Sequence, residues 1–253
     1  MFVDVHCHLF FKQFDPDRAE VIQRAKDAGV VAIVNSGTEF ETNQRVLDLS
    51  SKNNILKASL GIYPTYAESL TDQQLMYDIN FIKEHKQKVF AIGEVGLDFH
   101  LTKDPEKQEL QKKRLRIIIE ELAPLQKPFV IHCRSAERET IEILESTGLK
   151  RVNFHCFTGR QNLVKRIVEN GWYLSIPANV TRNLQFQQMV QFIPLRQLLT
   201  ETDAPFLAPP PKQRSEPALV RFAVEKIAEL KEVTSEEAEK IIYMNFQQLF
   251  LTS

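Results

Sequence analysis

Cysteine is scarce in this chain: 253 residues hold three, Cys7, Cys133 and Cys156. An odd count in a chain of this size argues against a disulfide scaffold, and free thiols point to a reducing compartment. Net charge is close to absent. Lys and Arg total 32 against 33 Asp and Glu, a formal charge of −1, so no global basic field exists to hold a long polyanion by counterion release. Any contact with nucleic acid has to be local. No stretch approaches the ~18 apolar residues of a membrane span, and the opening MFVDVHCHLFFK carries Asp4 and two histidines where a signal peptide needs an unbroken apolar run. Internal repeats, linkers and low-complexity tracts are missing too. The expectation is a cytoplasmic protein, one domain over residues 1–253, with no membrane anchor and no evident obligate protein partner.

What is present is alternation. Short apolar runs trade places with amphipathic segments from end to end, the pattern of βαβ units on a parallel sheet. Strands are expected near Phe2 to His8, Val30 to Asn35, Ile55 to Gly61, Val89 to Gly96, Phe129 to Cys133, Val152 to Phe157, Trp172 to Ile176 and Leu198 to Thr202. Asp15-Pro16 reads as an N-cap followed by Pro at the first helical position, with Gly29 ending that helix. Asp104 to Gln126 is the longest helical stretch, and Thr234 reads as the N-cap of the last helix, beyond a proline-rich loop from Ala208 to Pro217. Eight strands, each followed by a helix, in about 250 residues describe an α/β fold of the single (β/α)8 TIM barrel type better than an open sheet.

The chemistry gathers at the strand ends. Strand side chains alternate, so Asp4, His6 and His8 share one face of strand 1 while Val3, Val5 and Cys7 face the helices. Two imidazoles and a carboxylate on one buried face call for a cation, although a buried His is often simply a satisfied core residue. His132 closes strand 5 and His155 closes strand 6, each followed by a Cys expected to face the helices. Glu94 closes strand 4 and Asp203 closes strand 8; either acid taken alone also suits a structural ion pair. Together they form a set of four His and two carboxylates at the C-terminal strand ends, where barrel enzymes build active sites.

These segments resemble the TatD family of metal-dependent deoxyribonucleases, within the amidohydrolase-like barrels. The similarity rests on Asp4-x-His6-x-His8, Gly93-Glu94-Val95-Gly96-Leu97-Asp98, His132-Cys133-Arg134, His155-Cys156-Phe157-Thr158-Gly159 and Thr200-Glu201-Thr202-Asp203-Ala204-Pro205, in the family's order. The resemblance implies two divalent metal ions per chain. His6, His8, Glu94 and Asp203 would hold one, and Glu94, His132 and His155 the other, with Glu94 bridging. It implies a nuclease acting on DNA, on single-stranded or frayed 3′ ends in the 3′ to 5′ direction, with Glu94 and Asp203 catalytic and Asp203 orienting or deprotonating the attacking water. Imidazole-rich donors suit Zn2+ or Mn2+, while the resemblance implies that Mg2+ serves in assays.

Two positions depart from the family pattern, Tyr63 where it usually has His and Ser135 where it usually has Asp; neither is a proposed ligand. Tyr63, Arg134, His100 and Arg214 are the candidate substrate contacts, with Lys212 beside Arg214 in the proline-rich loop. Phe157 and Phe206 suit base stacking, although packing at the rim is the commoner fate. His85 reads as a surface residue. The same cage also suits a barrel hydrolase acting on a small ester or amide. Basic rim groups, and Glu94 where many such hydrolases carry a modified lysine, favour the nuclease. A binding protein that has lost catalysis is disfavoured because all six ligand positions are filled.

Overall fold

The computed structural model describes residues 1–209 and 211–252; Pro210, in the proline-rich loop, and Ser253 lie outside the described residues. Eight parallel strands follow one another in chain order around a nearly closed barrel: β1 (Phe2–Cys7), β2 (Val30–Ser36), β3 (Leu56–Leu60), β4 (Val89–Asp98), β5 (Phe129–Arg134), β6 (Val152–His155), β7 (Tyr173–Pro177) and β8 (Leu198–Glu201). The helices described between and after them are α1 (Arg18–Asp27), α2 (Phe40–Lys52), α3 (Pro64–Ser69), α4 (Asp72–Glu84), α5 (Pro105–Leu122), α6 (Glu137–Thr147), α7 (Gln161–Glu169), α8 (Leu184–Phe192), α9 (Arg221–Lys231) and α10 (Ser235–Phe246). The expected (β/α)8 barrel is therefore the fold, with the strands largely buried on both faces beneath a layer of helices.

Local chemistry sets the element boundaries. Thr234 caps α10 by accepting from Glu237 N at 3.1 Å, and Gly29 follows α1 in the left-handed region at φ +83°, as expected. Asp104 caps the long helix α5 through Glu106 N at 2.9 Å; regular helix ends at Leu122 rather than Gln126, since Pro124 cannot donate to a continuing helix. The expected start of α1 at Asp15-Pro16 is wrong. Residues 12–14 form a short 3-10 turn that buries Phe14, so α1 begins two residues later, with Asp17 at its N-cap. Strand β4 also runs past its expected end at Gly96, because Gly96, Leu97 and Asp98 keep register with His132, Cys133 and Arg134 of β5. Glu94 consequently lies within β4 and does not close it.

The seam between β8 and β1 is made by specific groups. Thr200 Oγ1 donates to Val3 O at 2.8 Å, Thr202 N to Asp4 Oδ1 at 2.9 Å, Asp203 N to His6 O at 2.9 Å and His8 N to Ala204 O at 2.8 Å. The Asp4 carboxylate is held by Thr202 at the seam and accepts from the backbone N–H of His6 at 3.3 Å. Cys7 packs with Phe14, Val21, Ile22 and Ala25 on the helix side, and Cys133 lies against Thr140 of α6, both as expected. Cys156 departs from expectation: it stands just past β6 at φ +45° and lines the central cavity, because the strand has already ended.

Glycine matters most at Gly96, whose φ is +152° and where an added Cβ would lie 1.8 Å from His132 O. Gly96→Ala is expected to lower the unfolding free energy by about 2–4 kcal/mol, since both the dihedral and the approach of β4 to β5 are denied. Gly148→Ala is the control. Its φ is +70° with nothing within 4 Å, so only the dihedral cost of about 1 kcal/mol should appear. Urea unfolding of both variants checks this; equal losses would mean that the β4–β5 approach does not constrain the strand.

Candidate metal centre

At the C-terminal ends of the strands a cavity of about 670 Å3 opens, with His8, Glu94, His132, His155 and Asp203 on its wall. Glu94 is placed by backbone contacts on both sides. Its N–H donates to Gly37 O at 3.0 Å, Ser59 Oγ donates to Gly93 O at 2.8 Å, and a Cβ on Gly61 would come within 2.1 Å of Glu94 N. Only glycine lets β3 approach so closely.

The two carboxylate oxygens then face different groups. Oε1 lies 2.7 Å from His132 Nδ1 and 3.0 Å from His155 Nε2. Oε2 lies 3.5 Å from His6 Nε2 and 3.4 Å from His8 Nε2. Asp203, held at φ +51° beyond β8, brings Oδ1 to 3.6 Å from His6 Nε2 and 3.4 Å from His8 Nε2. All six ligands expected from the sequence therefore converge. Two tight groups emerge, His6 with His8 and Asp203, and His6 with Glu94 and His155; within each, the ligand atoms lie within 4.8 Å of one another.

The outer ring nitrogens reveal what the inner ones carry. His8 Nδ1 sits 2.8 Å from the carbonyl oxygen of Ser36, which only accepts, so the ring proton is on Nδ1 and the Nε2 lone pair faces inward. That lone pair meets His6 Nε2 at 3.1 Å and two carboxylate oxygens. His132 repeats the arrangement: Nε2 lies 3.1 Å from Asp98 Oδ2, which also accepts from Tyr63 OH at 2.8 Å. Its Nδ1 then confronts Glu94. Acceptors meeting acceptors in a buried cavity need positive charge between them, supplied by protons or by a cation. The donor set, imidazole nitrogens and carboxylate oxygens with their outer atoms anchored, fits a divalent ion.

Without an ion, protons take that role. Burial by itself would lower the His132 pKa, but hydrogen bonds to Asp98 and Glu94 outweigh it and push the value up to about 9. Burial would likewise raise Glu94, yet the surrounding His155 and His132 hold its carboxyl well below the usual range. His6, buried and crowded by His155, is held well below the ordinary imidazole value.

The expected substrate contacts divide. Tyr63 is on the cavity wall, but its hydroxyl is committed to Asp98. Arg134 is on the wall, exposed, and among the described residues pairs with no acid. His100 is exposed on a turn outside the cavity wall, because the extension of β4 to Asp98 carries it past the rim. Arg214 is also corrected. It forms a fork with Asp17 at 2.8 and 2.6 Å and lies 4.6 Å over the Phe14 ring, so it braces the loop against α1. Lys212 is exposed and away from the wall. Phe157 is buried in the core, whereas Phe206 is half-exposed on the cavity rim, 5.8 Å from Phe11. His85 caps α4 and is half-buried, with Nδ1 2.8 Å from Phe81 O. The residues that sequence reasoning missed are Ser36, Ser59 and the acceptor role of Asp98. Only Asp98 gave any signal, as the acid closing the Gly93 to Asp98 motif.

A family model for TatD-related DNases matches residues 3–251. The chain is 37% identical over 256 residues to the uncharacterized metal-dependent hydrolase YabD of Bacillus subtilis, covering 99% of each. It is 34% identical to the deoxyribonuclease TATDN3 of Homo sapiens, over 98% of this chain and 94% of that one. It is 32% identical to the 3′-5′ ssDNA/RNA exonuclease TatD of Salmonella typhimurium, over 89% of both. Among solved structures, YJJV, a TatD homolog from Escherichia coli, superposes with a TM-score of 0.90 at 29% identity, over 100% of this chain and 98% of that one.

The Asp98–His132 pair supplies a pH test on the metal-free protein. A folded-state pKa near 9 against about 6.5 unfolded means that the contacts of His132 with Asp98 and Glu94 add stability that is fully present below the unfolded value and is lost as pH rises through 9. Asp98→Asn should move the His132 titration, followed by imidazole NMR, down toward 6.5 and flatten that part of the stability profile. An unchanged titration midpoint would show that Asp98 does not hold the proton.

Proposed function

The chain belongs to the TatD-related DNase family, and from that membership we propose that this metal-dependent hydrolase is a deoxyribonuclease acting on single-stranded or frayed 3′ ends in the 3′ to 5′ direction. The observation that carries the proposal is the divided Glu94 carboxylate, with one oxygen toward His6 and His8 and the other toward His132 and His155. His6, His8, Glu94 and Asp203 would hold one divalent ion, and Glu94, His132 and His155 a second, with Zn2+ or Mn2+ suited to the nitrogen donors and Mg2+ able to support turnover. Such a pair, when bound, lowers the pKa of water and neutralises phosphate oxygens during an in-line displacement.

The chain's own groups do the rest. Asp203 is the most exposed of the carboxylates at the centre, with 15% of its side chain accessible, and so can reach an attacking water and accept its proton at Oδ1 or Oδ2. Arg134 offers its planar fork to a phosphate at the cavity wall. Phe206 and Phe11 present an apolar rim on which a terminal base can stack. With Arg214 tied to Asp17, the positive groups facing substrate are few, which suits short contacts with a chain end over tracking along a duplex. Among the described residues no helix is long and apolar enough to cross a membrane, and the three cysteines are free. A reducing cytoplasm fits both.

Chelation should abolish shortening of end-labelled single-stranded DNA while leaving the far-UV circular dichroism close to unchanged, because the barrel core is apolar and packs without the ions. Activity that survives exhaustive chelation would overturn the proposal, and turnover of small esters or amides with DNA left intact would move the chain to another substrate class.

The two central carboxylates should separate by mutation. Glu94→Ala is expected to lose cation occupancy as well as turnover. Asp203→Asn keeps one acceptor oxygen but not the base, so kcat should fall by about 10² to 10⁴ with KM little changed and the His132–His155 cation retained. Metal analysis beside single-turnover kinetics reads both, and near-normal turnover of Asp203→Asn would send the search for the base elsewhere.

A further inference from the structure

His155, the last residue of β6, has two chemically different sides. Nε2 faces Glu94 Oε1 at 3.0 Å and His132 Nδ1 at 3.1 Å, inside the ligand cluster. Nδ1 points the opposite way and, among the described residues, is buried without a hydrogen-bond partner. Facing it at 3.9 Å is Oε1 of Glu201, which is likewise buried and without a partner. Two buried polar atoms without a protein partner are rare, and here they face each other, about 1 Å farther apart than the usual N–H···O hydrogen bond.

The rest of the Glu201 carboxyl is anchored. Oε2 accepts from Ser175 Oγ, and Ser175 Oγ in turn accepts from Asn153 Nδ2 at 2.9 Å. The backbone N–H of Cys156 lies beside the same carboxyl. β7, β6 and the chain beyond β6 therefore hold this acid from behind and leave its free oxygen turned toward the imidazole. Across the cluster, Asp98 already stands in the equivalent relation to His132, with Oδ2 at 3.1 Å from the outer nitrogen.

We infer that Glu201 is a positioning residue for the second cation site, its free oxygen accepting the Nδ1 proton of His155 so that the Nε2 lone pair is presented to the ion. This rests on the two-cation reading above. Coordination through Nε2 requires the ring proton on Nδ1; burial raises the Glu201 carboxyl well above the usual carboxylate range, but its free oxygen can accept from Nδ1–H whether or not the group is ionised, which favours that tautomer and fixes the ring plane. Glu201 touches no substrate. One segment of chain would then serve both sites, with Asp203 in the first and Glu201 behind the second.

Glu201→Gln tests this in the full chain. The amide keeps the size and can still accept from Ser175, but turned toward His155 its NH2 donates, which favours the tautomer with the lone pair on the wrong nitrogen. Calorimetric and paramagnetic titration with Mn2+ is expected to show one site at wild-type affinity and the other weakened 10- to 100-fold. Turnover should fall with KM for DNA nearly constant, and raised Mn2+ should restore it. Two wild-type isotherms would overturn the inference, as would equal weakening of both sites together with a lowered unfolding midpoint, which marks a structural carboxyl. A second measurement needs no variant: in the Zn2+-loaded wild-type protein, the His155 Nδ1 proton should give a downfield, slowly exchanging NMR signal. Its absence also overturns the inference. If the wild-type protein binds no cation at all, the two-cation reading falls with it.

Discussion

Glu94 sits between two pairs of imidazoles with one carboxylate oxygen for each, buried to within 3% of complete. In water such a group would be solvated from every side, whereas here the neighbours must supply the positive charge, either as protons on the histidines or as bound cations. That demand explains why the outer nitrogens are tethered so carefully. Ser36 fixes His8, and Asp98 fixes His132. Each tether turns an inward ring nitrogen toward the carboxylates, where it carries a proton or a cation. Metal binding and the shape of the site are thus two aspects of one electrostatic problem.

The barrel makes this arrangement affordable by keeping the backbone exact. Glu94 could not stand where it does with any side chain on Gly61, and β4 could not continue to Asp98 with one on Gly96. The seam of β1 and β8 has the same purpose. Asp4 takes both polar groups of Thr202, while the backbone around His6 and His8 bonds to Asp203 and Ala204. His6, His8 and Asp203 are therefore locked in place by the closure of the barrel. The apolar strands and helices around them provide the bulk of the stability, and the polar cluster draws on it.

The cavity around the cluster is mixed in character. Arg134 brings a cation to its wall, Phe11 and Phe206 bring apolar rings, and Tyr63 brings a phenol. With its hydroxyl bonded to Asp98, Tyr63 braces His132 from the side. Burial and the nearby Glu94 charge keep the phenol protonated far above neutrality, so it is confined to donating a hydrogen bond.

How much of this was legible in the sequence depends on the range of the interaction involved. Strand periodicity and order identified eight strands and the closed barrel, because burial on both faces of a parallel strand writes itself into consecutive apolar residues. The six candidate ligands were legible for the same reason: a polar residue at the end of an apolar run stands out. Lateral contacts left no such mark. Asp4 lies on the same strand as His6 and His8 but bonds to Thr202, 198 residues away; Arg214, basic and near Asp203 in sequence, is claimed by Asp17, 197 residues away. Cys156 faces the cavity because β6 stops one residue before it. The sequence by itself determined which polar residues gather and at which end of the strands they lie, since alternation and composition are local properties. Only the tertiary structure decided which oxygen faces which imidazole, because those pairings follow from how strands distant in the chain are brought side by side.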